Sequence, residues 1–426
     1  MKILIIGLNY APEKIGIAVY TTGMAEDFAS RGHKVQVVAG RPYYPAWKIM
    51  DGHNALAVGR GIERGVDITR VPHYVPRNPS GAKRLLHHAS FALSALVPAL
   101  SRAIAWRPDV VLTIAPSLIA APIARMAAAL CGARSWLHIQ DFELEAAFAM
   151  GLLKDGKRAG WLARWLEAKV LGAFDSVSAV SPQMCRKLAE KGVAAERIAE
   201  FRNWADIEAI RPMHEPSPYR AEWNITTQKV ALYSGAIANK QGIEIVVEAA
   251  RLLRNQKDLT FVICGEGPNR ASLERQAIGL DNIQFHDLQP QERFNALLGL
   301  ADIHLLPQVA TAADLMLPSK LTGILASGRP VVATADKGTG LAIEVEGCGL
   351  VTPPGDAAAF AGAIMQLAHG NGYRKMAEEA RRRAEQKWDG QAILGAQEAR
   401  LVAENTCLNR VRKRKNARAL QYPRAR

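Results

Sequence analysis

Two lysines stand where a buried strand gives way to a helix, and both are set to meet an anion. Lys240 leads Gln241 and Gly242 into a helix, shortly after Tyr233-Ser234-Gly235 closes a strand. Lys320 follows Pro318, which halts the chain, and Ser319, a good N-cap, so it falls in the first helical turn. A cation there opposes the helix dipole, which makes sense when an anion docks at the same end. A point charge beside backbone N–H donors suits a diphosphate, although Lys240 taken alone would more often be a surface lysine. Gly16, closing Asn9-Tyr10-Ala11-Pro12-Glu13-Lys14-Ile15-Gly16, opens another helix with the same N–H donors, or serves only a tight turn. Gly265 and Glu266, in Cys264-Gly265-Glu266-Gly267-Pro268, follow a further strand. Their bare backbone would let a planar base approach, and a plain Gly-Pro turn explains them as well. The densest acidic cluster, Asp141-Phe142-Glu143-Leu144-Glu145, has no histidine or cysteine pair beside it, which argues against a metal site.

The elements that must position these residues follow a repeated rhythm. Apolar strands are predicted at Lys2–Gly7, Lys34–Ala39, Asp109–Ile114, Arg134–Ile139 and Asp175–Val180, with helical patterns between them. Prolines 212, 216 and 218 crowd the stretch Ile210–Tyr219, which reads as a linker. The rhythm restarts at Lys229–Ser234, Leu259–Cys264, Asn282–His286, Asp302–Leu306 and Pro330–Thr334. Continuous apolar strands alternating with helices imply parallel sheets covered on both faces. The fold class is therefore α/β, two Rossmann-like, doubly wound parallel-sheet domains facing across a cleft. The first domain is expected over 1–210 and the second over 211–388. A last helix near 389–405 is free to cross back to the first domain, and 409–426 reads as a disordered basic tail. In such sheets ligands bind beyond the carboxyl ends of the strands, which is where the glycines and lysines above lie.

Composition fits this reading. The 426 residues are 49% hydrophobic and 22% charged, a globular balance large enough for two cores. Five single cysteines, in no metal-ligand spacing, suit a reduced cytoplasmic protein. The opening apolar run is too short for a signal peptide and reads as a strand. The longest apolar stretch, Ala89–Leu100, falls short of the roughly 20 residues a membrane span needs. The net charge is +14, of which eight cations fall between Arg410 and Arg426; without them the balance is +6. That tail is either simply solvated or a tether to an anionic membrane surface on the inner face of the cytoplasmic membrane. Its single aromatic, Tyr422, argues against nucleic acid as a partner. Lys83–Arg107 mixes cations with Phe91, Leu93, Leu96, Val97 and Leu100, and suits either a core-facing helix or one lying in a bilayer interface.

Several segments together resemble the family 4 glycosyltransferases, and within them the WcaI-type enzymes of colanic acid and exopolysaccharide synthesis. They are NYAPE at 9–13, PYYPAWK at 42–48, HIQDFELEAAF at 138–148, SAVSPQM at 178–184, RNWAD at 202–206, YSGAIANKQG at 233–242 and LPSKLTGILASGRPVVAT at 317–334. The resemblance implies a GT-B fold and a GDP- or UDP-linked sugar donor, with a fucosyl donor suggested by the family. It also implies metal-independent transfer with retention, no cofactor, and a lipid-linked oligosaccharide acceptor. No two aspartates stand two apart, so the DxD signature of metal-using transferases is absent. Where the broad family often carries two glutamates, this chain has Leu315 and Gly323, which leaves Asp314 as a candidate ribose contact. Ala236 stands in place of the usual arginine, and Gln140 in place of a histidine. Donor binding is expected from Gly16, Gly235, Lys240, Gly265, Glu266, Asp314, Ser319 and Lys320. Catalysis is expected from Lys240 and Lys320, which neutralise the departing diphosphate, and from Asp141, which orients the acceptor hydroxyl or holds the donor sugar. A sugar-nucleotide epimerase or hydrolase, and an inactive GT-B scaffold, remain alternatives. The missing GxGxxG fingerprint makes a dehydrogenase the weakest of them.

Overall fold

The computed structural model describes residues 1–421 apart from 15, 54–56, 143, 145–147, 149–157, 239–240 and 311–316. Runs of Ile, Val and Leu that cannot face water on either side form two sheets. In the first domain the strands are β1 (Lys2–Gly7), β2 (Lys34–Gly40), β3 (Gly59–Glu63), β4 (Val66–Val71), β5 (Val110–Ala115), β6 (Arg134–Ile139), β7 (Ser176–Ala179) and β8 (Ile198–Glu200). They run in the order β3-β4-β2-β1-β5-β6-β7-β8, parallel except for the β3 edge, which pairs antiparallel with β4. Helices α1 (Ile17–Ser30), α2 (Gly81–Trp106), α3 (Ala121–Cys131), α4 (Arg158–Ala173) and α5 (Pro182–Glu190) join them. Phe91 and Ala95 of α2, Ala124 of α3 and Leu171 of α4 share one core cluster, while Met24 and Phe28 of α1 belong to another.

The second sheet is wholly parallel, in the order β11-β10-β9-β12-β13-β14. Its strands are β9 (Lys229–Ser234), β10 (Leu259–Cys264), β11 (Ile283–His286), β12 (Ile303–Leu306), β13 (Val331–Thr334) and β14 (Gly349–Thr352). The helices are α6 (Tyr219–Glu222), α7 (Glu244–Leu252), α8 (Arg270–Gln276), α9 (Phe294–Leu300), α10 (Lys320–Ala326), α11 (Gly340–Val345), α12 (Ala357–His369) and α13 (Tyr373–Lys387).

The final helix, α14 (Gly390–Gln421), returns to the first domain. Leu394 and Leu401 join the core of Phe28, and Glu398 meets His33 Nε2 at 2.7 Å. The backbone stays helical through 409–421, the stretch the sequence reading leaves without structure. Ala, Leu, Arg and Lys are good helix formers, and no proline intervenes before Pro423.

The domains are joined by two crossings of the chain that bond to each other. Ala205 N–H donates to the Trp388 carbonyl at 2.8 Å, and Gly390 N–H donates to the Ala205 carbonyl at 3.1 Å. Ala205 and Ile210 already pack in the second domain's core, so the crossing precedes the proline-rich stretch. That stretch is not a free linker. Pro212 lies against Gly328, Ser217 Oγ donates to the Ala296 carbonyl at 2.7 Å, and Tyr219 is buried, so apolar anchors hold what proline keeps from being helical.

Trp204 sits at the joint. Its ring meets Tyr20 edge-on with centroids 5.1 Å apart and stacks on Phe201 at 5.9 Å. Its carbonyl accepts from Thr322 Oγ1 of the second domain at 3.3 Å. Trp204→Ala is expected to remove about 2 kcal/mol, less than a fully buried tryptophan would cost. It should also split the thermal transition into two. A single calorimetric transition at an unchanged Tm would contradict this role.

Candidate active site

On the first domain's side of the cleft, one buried carboxylate ties two loops together. Glu13 follows β1, and its carboxylate accepts from the backbone N–H of Tyr43 at 2.9 Å and Tyr44 at 3.0 Å. Asn9 Nδ2 donates to it at 2.9 Å. Burial pushes the Glu13 carboxyl up, and these hydrogen bonds oppose that shift. The NYAPE and PYYPAWK segments are thus one structural unit, which sets the Tyr44 ring beside Gly16. Gly16 has φ 70° and ψ −146°, a conformation open in practice only to glycine. It starts the 14-residue α1 and aims that helix's first N–H groups at the cleft.

On the opposite side, Lys320 lies across bare backbone. Gly235 has φ 126°, and a Cβ built there would stand 2.5 Å from Lys320 Cε. The Lys320 ammonium sits 3.9 Å from the centre of the Tyr233 ring and donates to the Tyr233 hydroxyl. That hydroxyl in turn donates to the Ala236 carbonyl at 2.5 Å. Burial pushes the Tyr233 phenol well above its ordinary value, and the charges of Tyr44 and Glu244 add to the shift. Tyr20 OH also donates to the Ser319 carbonyl across the interface at 3.4 Å.

Gly16, Gly235, Ser319 and Lys320 are therefore gathered at one place. Ser319 does so differently from the sequence expectation, because its hydroxyl does not cap α10. Its φ −60° and ψ −22° are already helical, and the turn begins with Leu321 N–H on the Pro318 carbonyl at 3.0 Å. Gly265 and Gly267 shape the floor. A Cβ at either would collide with the carbonyl of Gly235 or Ile237, so the loops after β9 and β10 run in contact. The Glu266 side chain is exposed, and its carbonyl accepts from Ile237 N–H at 2.8 Å. Gly323 faces Phe294 and Leu298, with a built Cβ 3.4 Å from each, so this position looks into the helical layer. Asp141 lines a small crevice with Leu118, Phe142, Glu167 and Leu171, on the side of the first sheet that α3 and α4 cover. Lys240 and Asp314 lie outside the described residues. His138 is a core histidine, 2.9 Å from Ser178 Oγ and 3.0 Å from the Gln140 amide.

Sequence reasoning missed Glu13, Tyr44 and Tyr233. A lone acid between two proline-containing apolar segments was the one available signal for Glu13, and the backbone N–H groups it accepts from lie thirty residues away.

Two parallel α/β domains whose strand ends face each other, with glycine and lysine at the meeting point, are the GT-B arrangement of a glycosyltransferase. The comparisons agree. The family model for the glycosyl transferase 4-like domain matches residues 16–204, and that for glycosyl transferases group 1 matches 217–387. The glycosyl transferase WcaI of Escherichia coli (strain K12), named for colanic acid biosynthesis, is 42% identical over 348 residues, 80% of this chain and 85% of that protein. Sucrose-phosphate synthase from Thermosynechococcus elongatus shares the fold with a TM-score of 0.74 at 18% identity, covering 95% of this chain and 99% of that one. Anabaena Alr3699/HepE, in complex with UDP and glucose, does so at 0.67 and 16%, covering 95% and 100%. The chain belongs to the glycosyltransferases that pair a 4-like with a group 1 domain, and within them to the WcaI type.

Burial also sets a pH dependence. His73 and His88 in the wall behind Tyr43, and His138 and His304 in the cores, are each pushed down to about 3. The unfolded chain gains these protons near pH 6.5, the folded chain only near pH 3, so stability falls as pH falls between those values. The denaturant midpoint is expected to be lower at about pH 5 than at about pH 7.5. Equal midpoints would contradict buried neutral histidines.

Proposed function

We propose that this glycosyltransferase moves a sugar, with retention and without a metal ion, from a GDP- or UDP-linked donor to a lipid-linked oligosaccharide of an exopolysaccharide repeat. The observation that carries the reading is the Lys320 ammonium held against Gly235 and the Tyr233 ring, with Tyr20 of α1 donating across the interface to the Ser319 carbonyl beside it. A diphosphate set beside the Lys320 ammonium meets a cation already held against Gly235, with the α1 N-terminus opposite. As the bond from sugar C1 to the β-phosphate oxygen breaks, negative charge grows on that phosphate. Lys320 stabilises it, joined by Lys240, a role that rests on sequence alone. The acceptor hydroxyl attacks C1 from the same face and passes its proton to the leaving phosphate oxygen. Fixed lysine charge and backbone dipoles then do the work a divalent cation does elsewhere. Asp141 is assigned to the acceptor or to the sugar hydroxyls.

The WcaI relative, named for colanic acid biosynthesis, supports an exopolysaccharide product, and the UDP bound by HepE supports a nucleotide donor. A thermal-shift screen of UDP-, GDP-, dTDP- and ADP-sugars, followed by product analysis with a lipid-linked acceptor, tests the reading. A donor at about 100 times its Kd should add about 2.7 kcal/mol. Stabilisation by none of the four would overturn it.

Lys320→Ala and Lys240→Ala are each expected to lower kcat about a hundredfold with the fold intact. Gly235→Ala should displace the Lys320 side chain and weaken donor binding by about tenfold, or roughly 1.4 kcal/mol, in calorimetry. Near-normal turnover in both lysine variants would sink the diphosphate assignment.

A further inference from the structure

Helices α2, α3 and α4 cover one side of the first sheet, α2 and α3 burying alanine-rich faces in it and α4 Leu171. A helix with only that one partner ordinarily turns polar residues outward. These three do not. On α2, Leu86, Leu93, Val97 and Ile104 follow one another at seven, four and seven residues, which aligns them along the side away from the sheet. They are between 55% and 74% exposed. Met126 and Leu130 repeat this on α3. On α4 the exposed pairs Trp161/Trp165 and Leu162/Leu166 each stand one turn apart. Twelve of the twenty exposed large apolar side chains among the described residues lie on α2, on α4 or in the 118–131 segment that ends in α3.

The exposed charge on these three helices, among the described residues, has one sign. Lys83 and Arg84 are exposed on α2, and Arg158, Arg164 and Lys169 on α4. Neither α2 nor α3 contains an acid, and the one acid of α4, Glu167, is buried and paired with Lys191 at 2.6 Å. A second copy of the chain would set cation against cation. An anionic leaflet satisfies both halves of the pattern, because its acyl boundary takes the apolar stripe and the tryptophans while its headgroups take the lysines and arginines. The helix α2 is apolar and long enough to span a bilayer by composition, but its buried side is fastened along the sheet, so it can only lie flat.

We propose that the α2–α3–α4 face docks the enzyme on an anionic phospholipid leaflet and holds the cleft mouth at headgroup level. The chain enters α2 from the carboxyl end of β4, the end of the first sheet that faces the cleft. Arg84 there lies 5.4 Å from the Trp47 ring centre, in the same loop as Tyr44. The purpose of docking rests on the lipid-linked acceptor reading; the binding itself does not, so the test contains no acceptor.

The full chain is floated with vesicles of phosphatidylcholine alone and of phosphatidylcholine with phosphatidylglycerol. The parent is expected to float at least tenfold more with the anionic vesicles, and less as salt rises. The variants Leu93→Glu/Val97→Glu and Trp161→Ser/Trp165→Ser should lose flotation at least tenfold while keeping the parent's thermal shift with nucleotide. Three results would overturn the proposal: a parent that stays unbound with anionic vesicles, variants that float as well as the parent, and a face that instead forms dimers which the variants abolish. Lipid binding without sugar transfer would sink only the acceptor reading.

Discussion

An ammonium group resting on backbone that has no side chain is the contact around which the rest is arranged. Lys320 can lie against Tyr233 and over Gly235 only because residue 235 lacks a Cβ and takes a φ of 126°. The loops beneath can come that close because Gly265 and Gly267 let one backbone touch another. A positive charge fixed in this way needs no reorganisation when negative charge develops beside it, which is the condition for strong electrostatic catalysis. The Tyr233 hydroxyl, bonded to the Ala236 carbonyl, keeps the cation aimed instead of solvated.

In the proposed mechanism that contact acts only with the other domain facing it. The closing parts are few: Tyr44, held in place by the Glu13 carboxylate; Tyr20, bonded to the Ser319 carbonyl; and Trp204, lodged where the two crossings pair. The paired crossings at Ala205 and Trp388–Gly390 form a narrow joint. Arg202 spans it, 3.2 Å from the buried Glu344 and over the Trp388 ring at 5.2 Å.

Much of the fold was legible in the sequence. Runs such as KVALYS and LTFVIC are buried on both sides of a parallel sheet, and no other element wants such a run. The β3–β4 hairpin was not, because GRGIE is a polar edge and VDITRV interleaves Asp67 and Arg70 with its apolar residues. The placement of Lys320 at the start of a helix was legible, because Pro318 halts the chain just before it. The Ser319 cap was misread because capping depends on ψ, which the residue type does not set. Glu13 was invisible as a functional residue because its meaning lies in N–H groups of a distant loop. The outward apolar stripe of α2 was half legible. Its composition suited either a core-facing helix or one lying in a bilayer interface, and only packing shows which side the sheet takes.

The central claim is that a nucleoside diphosphate lies against the Lys320 ammonium at the Gly235 loop, and a crystal structure of the enzyme with UDP or GDP tests it most directly. The account predicts the β-phosphate within hydrogen-bond distance of Lys320 Nζ, with Gly16 opposite. A diphosphate bound elsewhere, such as in the hollow between Gly242, Glu248 and Gly355, would contradict it.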